Sequence, residues 1–152
     1  MIIISIDPCS IKNLGFAVIE NENTITFGTF HPEEPVLSSI FDFTTELIED
    51  YEPDILLVES SIGFGHAPTR SKIAENTGII KLAAEQKNIK INIMNARHCF
   101  KIVLGTLKKG DNKKARTIEH FEQNYSLKLS EHEADALLMI ECFKIEGGLN
   151  VK

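Results

Sequence analysis

Three acidic residues stand where a carboxylate can hold a metal ion. Asp7 and Glu59 each follow a nearly continuous apolar run, so each acid would end a buried strand. A carboxylate there is costly to bury without a partner, and hard divalent cations prefer carboxylate oxygens. The spacing His132-x-x-Asp135 opens a predicted helix and puts both side chains on one face. Together these residues predict two-metal hydrolysis of a phosphodiester, in which one ion activates the attacking water and the other stabilises the leaving 3′ oxygen.

Each acid also has a purely structural explanation. Asp7 could accept hydrogen bonds from the turn that follows it, since aspartate is common at turns. Glu59 could form an ion pair with Arg70 or Lys72. Asp135 lies near a helix start, where acids are favoured by the helix dipole. The combination of two strand-terminal acids with one acid on a C-terminal helix is more specific than any of the three alone.

The elements that must position these acids are visible in the hydrophobic pattern. Strands are predicted at 2–7, 14–20, 24–30, 55–59 and 90–94, and helices at 36–51, 69–87, 96–104, 112–124 and 131–145. This order predicts an α/β fold with a mixed five-stranded sheet, antiparallel over the first three strands and parallel afterwards, and with helices on both faces. Ligands in such sheets bind beyond the carboxyl ends of the parallel strands, where both strand-terminal acids lie.

The composition predicts one globular domain over residues 1–152, with 43% hydrophobic and 25% charged residues. The 3 cysteines are odd in number and widely spaced. That usage indicates neither a disulfide framework nor a zinc knuckle, and it favours a reducing, cytoplasmic location. No apolar run approaches the roughly 20 residues of a membrane span, so we expect no membrane association.

A basic stretch interrupts an otherwise acidic chain. The net charge of -6 argues mildly against nucleic acid as a partner, but residues 97–116 contain seven lysines or arginines and one acid. Such a stretch can bind phosphates, because these contacts act within a Debye length of about 8 Å. A solvated helix face and loop is the alternative. The residues predicted to contact DNA include Arg70, Lys108, Lys109, Lys113 and Lys114.

Three segments resemble the motifs of a known family. Residues 4–19 (ISIDPCSIKNLGFAVI) are similar to the first motif of the RuvC family of Holliday junction resolvases, residues 56–60 (LLVES) to the second, and residues 131–138 (EHEADALL) to the last. The order and spacing of the motifs agree over nearly the whole chain. Lys12-Asn13 and the short length resemble the viral and mitochondrial branches, in particular poxvirus- or phage-type resolvases. The expected location is therefore the cytoplasm or a viral replication compartment.

The resemblance implies a fold, a substrate and a cofactor. The fold would be ribonuclease H-like, and the protein a homodimer that binds branched DNA. Each subunit would nick one of two opposed strands of a four-way junction, with Mg²⁺ or Mn²⁺ as cofactor. Asp7, Glu59, His132 and Asp135 match the four metal-site positions of the family.

The chain departs from the family pattern at two positions. Many members carry aspartate where this chain has His132, and an imidazole ligand would shift the preference toward Mn²⁺. Glu131 or Glu133 could replace His132 as the ligand. Cys9 stands where glycine often follows Asp-Pro, so the geometry of that turn is expected to differ.

Further residues match family positions by resemblance. Lys101 and Lys114 match basic residues near the cleaved phosphate, where a lysine would neutralise developing charge. Phe64 lies where relatives carry a residue that wedges into the junction centre. The helix at 69–87 is a candidate dimer interface. Each of these assignments has an alternative. The two lysines could simply be exposed, Phe64 could be a core residue, and the helix at 69–87 could only cover the sheet.

Two other functions fit parts of the pattern. A ribonuclease H-like nuclease that acts on structured or precursor RNA would share the first motif, but His132-x-x-Asp135 at the start of a long helix favours a resolvase. A non-catalytic junction-binding protein of the same fold would be expected to lose the acids, and all three are present.

Overall fold

The first three strands form an antiparallel meander, and two parallel strands extend it on one side. The computed structural model describes residues 1–8, 12–21, 23–60 and 67–148. Within these ranges the strands are β1 (Ile2–Asp7), β2 (Leu14–Glu20), β3 (Asn23–Phe30), β4 (Ile55–Glu59) and β5 (Lys90–Met94). The sheet order is β3-β2-β1-β4-β5, with β2 antiparallel to β1 and β3, and with β4 parallel to β1 and β5. The predicted mixed five-stranded sheet is confirmed.

Helices cover both faces of this sheet. They are α1 (Val36–Tyr51), α2 (Ala67–Gln86), α3 (Ala96–Leu104), α4 (Lys113–Tyr125) and α5 (Glu131–Ile145). The helices α1 and α2 share a core with one face, and α3, α4 and α5 share a core with the other. None of the described helices is both long and apolar enough to cross a bilayer.

Strand alternation decides which side chains face α5. In β1, Ile4 belongs to the core under α1 and α2, whereas Ile3 belongs to the core under α5. Side chains two residues apart in a strand share a face, so Asp7 lies on the same side as Ile3. In β4, Leu57 packs in the α5 core, and Glu59 is in phase with it. The apolar pattern therefore directs both strand-terminal acids toward α5.

Two helix starts differ slightly from the predicted ones, for physical reasons. Asn112, predicted as the first residue of a helix, is instead the N-cap of α4, and its side chain accepts hydrogen bonds from the amides of Lys114 and Ala115. The helix α2 begins at Ala67 rather than at 69. Pro68 is accommodated there because the first helical turn tolerates a missing amide.

Candidate active site

Asp7 and Glu59 lie side by side at the carboxyl ends of neighbouring parallel strands. The register pairs Ile6 with Val58, so the next residue along each strand is one of the two acids. Asp135 approaches the same place from α5, which packs on β1 and β2. Its charge acts on the pKa of both strand-terminal acids. Asp7, Glu59 and Asp135, remote in sequence, thus form one acid cluster.

The start of α5 is fixed in place by a capping box. The Ser130 hydroxyl accepts a hydrogen bond from the amide of Glu133, and the Glu133 carboxylate accepts one from the amide of Ser130 at 2.8 Å. The Thr29 hydroxyl of β3 also donates to Glu133 Oε1 at 3.0 Å. These bonds tie the first turn of α5, which carries His132, to the sheet. They also orient the following turn, which carries Asp135.

The two strand-terminal acids of the cluster are buried, Asp135 is partly exposed, and Asp7 lacks donors. Asp7 is 0% exposed and Glu59 is 4% exposed. Among the residues that the structure describes, no group donates a hydrogen bond to either carboxylate oxygen of Asp7. Burying a charged group without compensation is strongly unfavourable. A buried carboxylate with both oxygens unsatisfied, near two further acids, offers the oxygen ligands that hard divalent cations prefer.

Burial raises the pKa of all three carboxyls in the acid cluster, which favours their protonated forms when no cation neutralises them. Burial raises the pKa of Asp7 above its ordinary range, and the charge of Asp135 adds to the rise. Burial also raises the pKa of Glu59, with the neighbouring charge of Asp7 as the next cause. The pKa of Asp135 is raised by burial and lowered in part by Lys113 and Lys114. The Asp7 and Glu59 carboxyls act on each other although no hydrogen bond of ordinary geometry joins them.

Two basic side chains border the acid cluster. The Nδ1 atom of His132 lies 3.4 Å from Oδ2 of Asp7. The Nζ atom of Lys113 lies 3.8 Å from Oδ1 of Asp135. The sequence predicts Lys113 only as a DNA contact, and the structure adds it to the border of the acid cluster. The available signal was Asn112, whose capping role starts α4 at Lys113.

The two alternative ligands to His132 are engaged elsewhere. Glu131 forms an ion pair with Lys114 on the surface. Glu133 completes the capping box and accepts a hydrogen bond from Thr29. The position of His132 beside Asp7 therefore favours it as the fourth ligand.

The purely structural explanations for the acids can be compared with the contacts of Glu59 but not with those of the turn after Asp7. The proposed ion pair of Glu59 with Lys72 is not formed, because Lys72 pairs with Glu75 at 3.1 Å. The main charges that act on Glu59 are instead those of Asp7, Asp135 and Lys113. The turn that Asp7 was expected to cap includes residues 9–11, which lie outside the described residues.

The remaining predicted residues are spread over the surface. Lys101 is exposed in the last turn of α3 and is not among the main charges that act on the acid cluster. Arg70 is exposed in the first turn of α2, and Lys108 and Lys109 are exposed between α3 and α4. Phe64 lies outside the described residues. The roles of these residues stay predictions.

The loop that carries Lys108 and Lys109 is held in a defined shape by Arg116. Its guanidinium donates to Oδ2 of Asp111 at 2.9 Å and to the carbonyl of Leu104 at 2.7 Å. Asp111 also accepts a hydrogen bond from the amide of Lys108 at 2.9 Å. Arg116 therefore organises the basic stretch, and the two loop lysines project from it into solvent.

Comparisons with known proteins give a consistent result. The family model described as crossover junction endodeoxyribonuclease RuvC matches residues 3–142. A protein of that description from Petrotoga mobilis is 31% identical over 100 residues, which cover 60% of this chain and 61% of that protein. The match therefore spans less than two thirds of that relative's length.

Solved structures share the fold at low sequence identity. Thermus thermophilus RuvC in complex with a Holliday junction substrate superposes with a TM-score of 0.80 and 15% identity, covering 98% of this chain and 96% of that chain. The fowlpox virus Holliday junction resolvase superposes with a TM-score of 0.66 and 22% identity, covering 97% and 99%. The predicted ribonuclease H-like fold is confirmed. The chain resembles both the bacterial and the poxvirus proteins.

Proposed function

We propose that this chain, which belongs to the RuvC family of crossover junction endodeoxyribonucleases, is itself a Holliday junction resolvase. It would bind a four-way DNA junction as a homodimer and nick two opposed strands by hydrolysis. The observation that carries the proposal is the convergence of Asp7, Glu59 and Asp135 in one cluster, of which Asp7 and Glu59 are buried. Structures with this fold host many functions, so the site and the family match carry the argument rather than the fold.

The donor set of the acid cluster fits a divalent metal ion. Nucleases of the RuvC family depend on such ions, and we propose Mg²⁺ or Mn²⁺ here. Asp7, Glu59 and Asp135 would hold the ions, with His132 as the fourth ligand. The chemistry that the ions supply is activation of the attacking water and stabilisation of the leaving 3′ oxygen.

The chain's own basic residues would complete the site. Lys113, already beside Asp135, would approach the cleaved phosphate and offset the charge that develops on its oxygens. Lys114 would contribute once its surface pair with Glu131 opens. Lys108 and Lys109 would contact the DNA backbone, which positions the substrate without specifying its sequence. We also propose that Lys101 lies near the cleaved phosphate and that Arg70 contacts the DNA. Phe64 would insert into the junction centre.

The alternatives are less well supported. A non-catalytic junction-binding protein has no need for two buried acids beside a third, with an unsatisfied carboxylate among them. An RNA substrate would require a departure from the family whose model matches residues 3–142.

We further propose that residues 1–152 act as one nuclease domain and that α2 contributes to the dimer interface. We also propose that the protein acts in the cytoplasm or in a viral replication compartment.

Cleavage of defined substrates tests this function. The purified protein is incubated with a labelled four-way junction, a linear duplex of matched sequence and a structured RNA, each with Mg²⁺, with Mn²⁺ and with EDTA. We expect paired nicks in opposed strands of the junction, only with metal, and little cutting of the duplex or the RNA. Junction binding without cutting in either metal, or faster cutting of the RNA, would contradict the proposal.

A further inference from the structure

A second group of metal-ligating side chains lies at the other end of α5. His98 of α3 and Cys142 and Glu146 of α5 and its C-cap each offer one ligand atom, and these three atoms lie within 4.8 Å of one another. The Glu146 carboxylate connects the group: Oε1 lies 2.6 Å from Nε2 of His98, and Oε2 accepts a hydrogen bond from Sγ of Cys142 at 3.7 Å. One thiol, one imidazole and one carboxylate thus converge on a single point.

We propose that His98, Cys142 and Glu146 bind a thiophilic divalent ion, Zn²⁺ being the best match. Tetrahedral zinc bonds to sulfur, nitrogen and oxygen at about 2.0–2.3 Å, which sets its ligand atoms roughly 3.3–3.8 Å apart. The observed separations approach that arrangement, so small rotations of the exposed side chains would complete it. A thiolate ligand favours zinc over Mg²⁺, which prefers oxygen. With three protein ligands, water would take the fourth position.

The backbone positions these ligands in advance. Cys142 and Glu146 are four residues apart and lie on one face at the end of α5. His98 lies in the first turn of α3, where the Asn95 side chain accepts a hydrogen bond from its amide at 3.0 Å. The helices α3 and α5 pack closely along their lengths. Two rigid elements in contact therefore present the donors, which lowers the entropic cost of forming the site.

The surroundings leave a path for the ion, and metal binding would convert the Cys142 thiol to a thiolate. Cys142 is fully buried, while the side chains of His98 and Glu146 are 50% and 43% exposed, so the ion could enter from solvent past the latter two. Burial raises the pKa of Cys142 overall, so the thiol is protonated without metal. Binding would release that one proton as the S–H bond is replaced by a sulfur–metal bond.

The new site is separate from the acid cluster. Cys142 and Glu146 follow Asp135 by seven and eleven residues, or roughly 10 and 16 Å along the helix axis. An ion there would fasten the end of α5 to the start of α3 and leave the nuclease chemistry to the other end. The proposal is independent of the proposed nuclease function, because its test reads metal binding and not DNA cleavage.

Cobalt substitution tests the site, because only a thiolate ligand gives the near-ultraviolet charge-transfer band of bound Co²⁺. The wild-type chain, titrated with Co²⁺ alone, should develop this band to the intensity of one thiolate site, whatever Co²⁺ the acid cluster also binds, and Zn²⁺ should abolish it. Cys142→Ser should lose the band, while the control Cys9→Ser should keep it. His98→Gln and Glu146→Gln, both on the surface, should weaken Co²⁺ binding by at least tenfold.

Each result decides for or against the proposal. No charge-transfer band in the wild-type chain, or a band that survives in Cys142→Ser, would overturn it. If Cys142→Ser does not fold, the two surface variants decide: unchanged Co²⁺ affinity in both His98→Gln and Glu146→Gln would overturn it as well. Loss of the band in Cys9→Ser would assign the thiolate to Cys9 and would equally reject the site.

Discussion

Gly15 and His132 are in direct contact, and only a glycine fits between β2 and α5. A Cβ atom added to Gly15 would lie 2.1 Å from the carbonyl oxygen of His132 and 2.7 Å from its Cβ. Gly15 is also the register partner of Asp7 across β1 and β2. The missing side chain therefore lets the first turn of α5 settle beside the strand that ends in Asp7, and this contact sets how near the helix comes to the acid cluster.

Substituting Gly15 with alanine should separate α5 from the sheet. The added methyl group must displace helix backbone, which cannot move as easily as a side chain end. We expect a loss of about 1–3 kcal/mol of stability in urea unfolding, and a larger proportional loss of junction cleavage than of junction binding. Gly78→Ala is the matched control, because nothing lies within 4 Å of its added Cβ. That helical substitution should add about 0.5–1 kcal/mol. A Gly15→Ala protein as stable as the wild type would contradict the close contact.

The pH dependence of stability tests the burial of Glu59. Burial and the nearby Asp7 raise the folded-state pKa of Glu59, so the metal-free folded chain keeps a proton that the unfolded chain releases above about pH 4. The stability contributed by this group is full below the unfolded-state pKa and is lost as the pH rises toward the folded-state pKa. Glu59→Gln cannot ionise. In EDTA its stability relative to the wild type should therefore grow between about pH 4 and pH 8.

Urea unfolding at several pH values measures this difference. The exposed Glu85→Gln makes the same chemical change away from the acid cluster, and its difference from the wild type should stay flat. A difference for Glu59→Gln that is constant or that shrinks with rising pH would mean that Glu59 is not held in a buried, acid-rich place.

The sequence-based predictions agree with the structure where they rest on local patterns. They miss features that depend on packing between elements distant in sequence. The apolar runs before Asp7 and Glu59 were enough to predict the strands β1 and β4. Strand alternation explains why both acids face α5. The place of Lys113 beside Asp135 depends on how α4 crosses α5, which no periodicity in the chain reports. The contact between Gly15 and His132 likewise depends on how α5 packs against β2.

The thiol-containing site illustrates the same limit. His98 lies 44 residues from Cys142, and cysteine spacing gave no reason to connect them. They approach each other only because α3 and α5 pack together on one face of the sheet. Residues 9–11 and 61–66, where Cys9 and Phe64 lie, are outside the described chain, so the predictions for those two residues stand as they were made.

The identity of residue 132 should set the metal preference. Mn²⁺ accepts an imidazole ligand more readily than Mg²⁺ does, and Nδ1 of His132 lies 3.4 Å from Oδ2 of Asp7. His132→Asp replaces nitrogen with oxygen and adds a negative charge, so the ratio of cleavage rates in Mg²⁺ and Mn²⁺ should rise about tenfold. Glu131→Gln, which breaks only the pair with Lys114, should leave that ratio unchanged. A larger shift in Glu131→Gln than in His132→Asp would identify Glu131 as the ligand.

Lys113 and Lys108 should have different roles, Lys113 in the chemical step and Lys108 in DNA binding. Lys113→Met removes the charge beside Asp135 and should reduce the single-turnover cleavage rate about tenfold to hundredfold, with little change in junction affinity. Lys108→Met acts on the exposed loop, so it should weaken binding and lower the slope of log affinity against log salt by about 0.9. Equal effects of both variants on affinity, with no effect of Lys113→Met on the rate, would place Lys113 among the simple DNA contacts.

The most direct test of the account compares Asp7→Asn with Asp42→Asn in single-turnover cleavage of a four-way junction. The two variants make the same change, one at the fully buried acid at the end of β1 and the other on the exposed surface of α1. We predict that Asp7→Asn binds the junction about as well as the wild type but cuts it at least about 10³-fold more slowly in Mg²⁺ or Mn²⁺, while Asp42→Asn cuts normally. Cutting by Asp7→Asn at a rate near that of Asp42→Asn would contradict the claim that the acid cluster holds the catalytic ions.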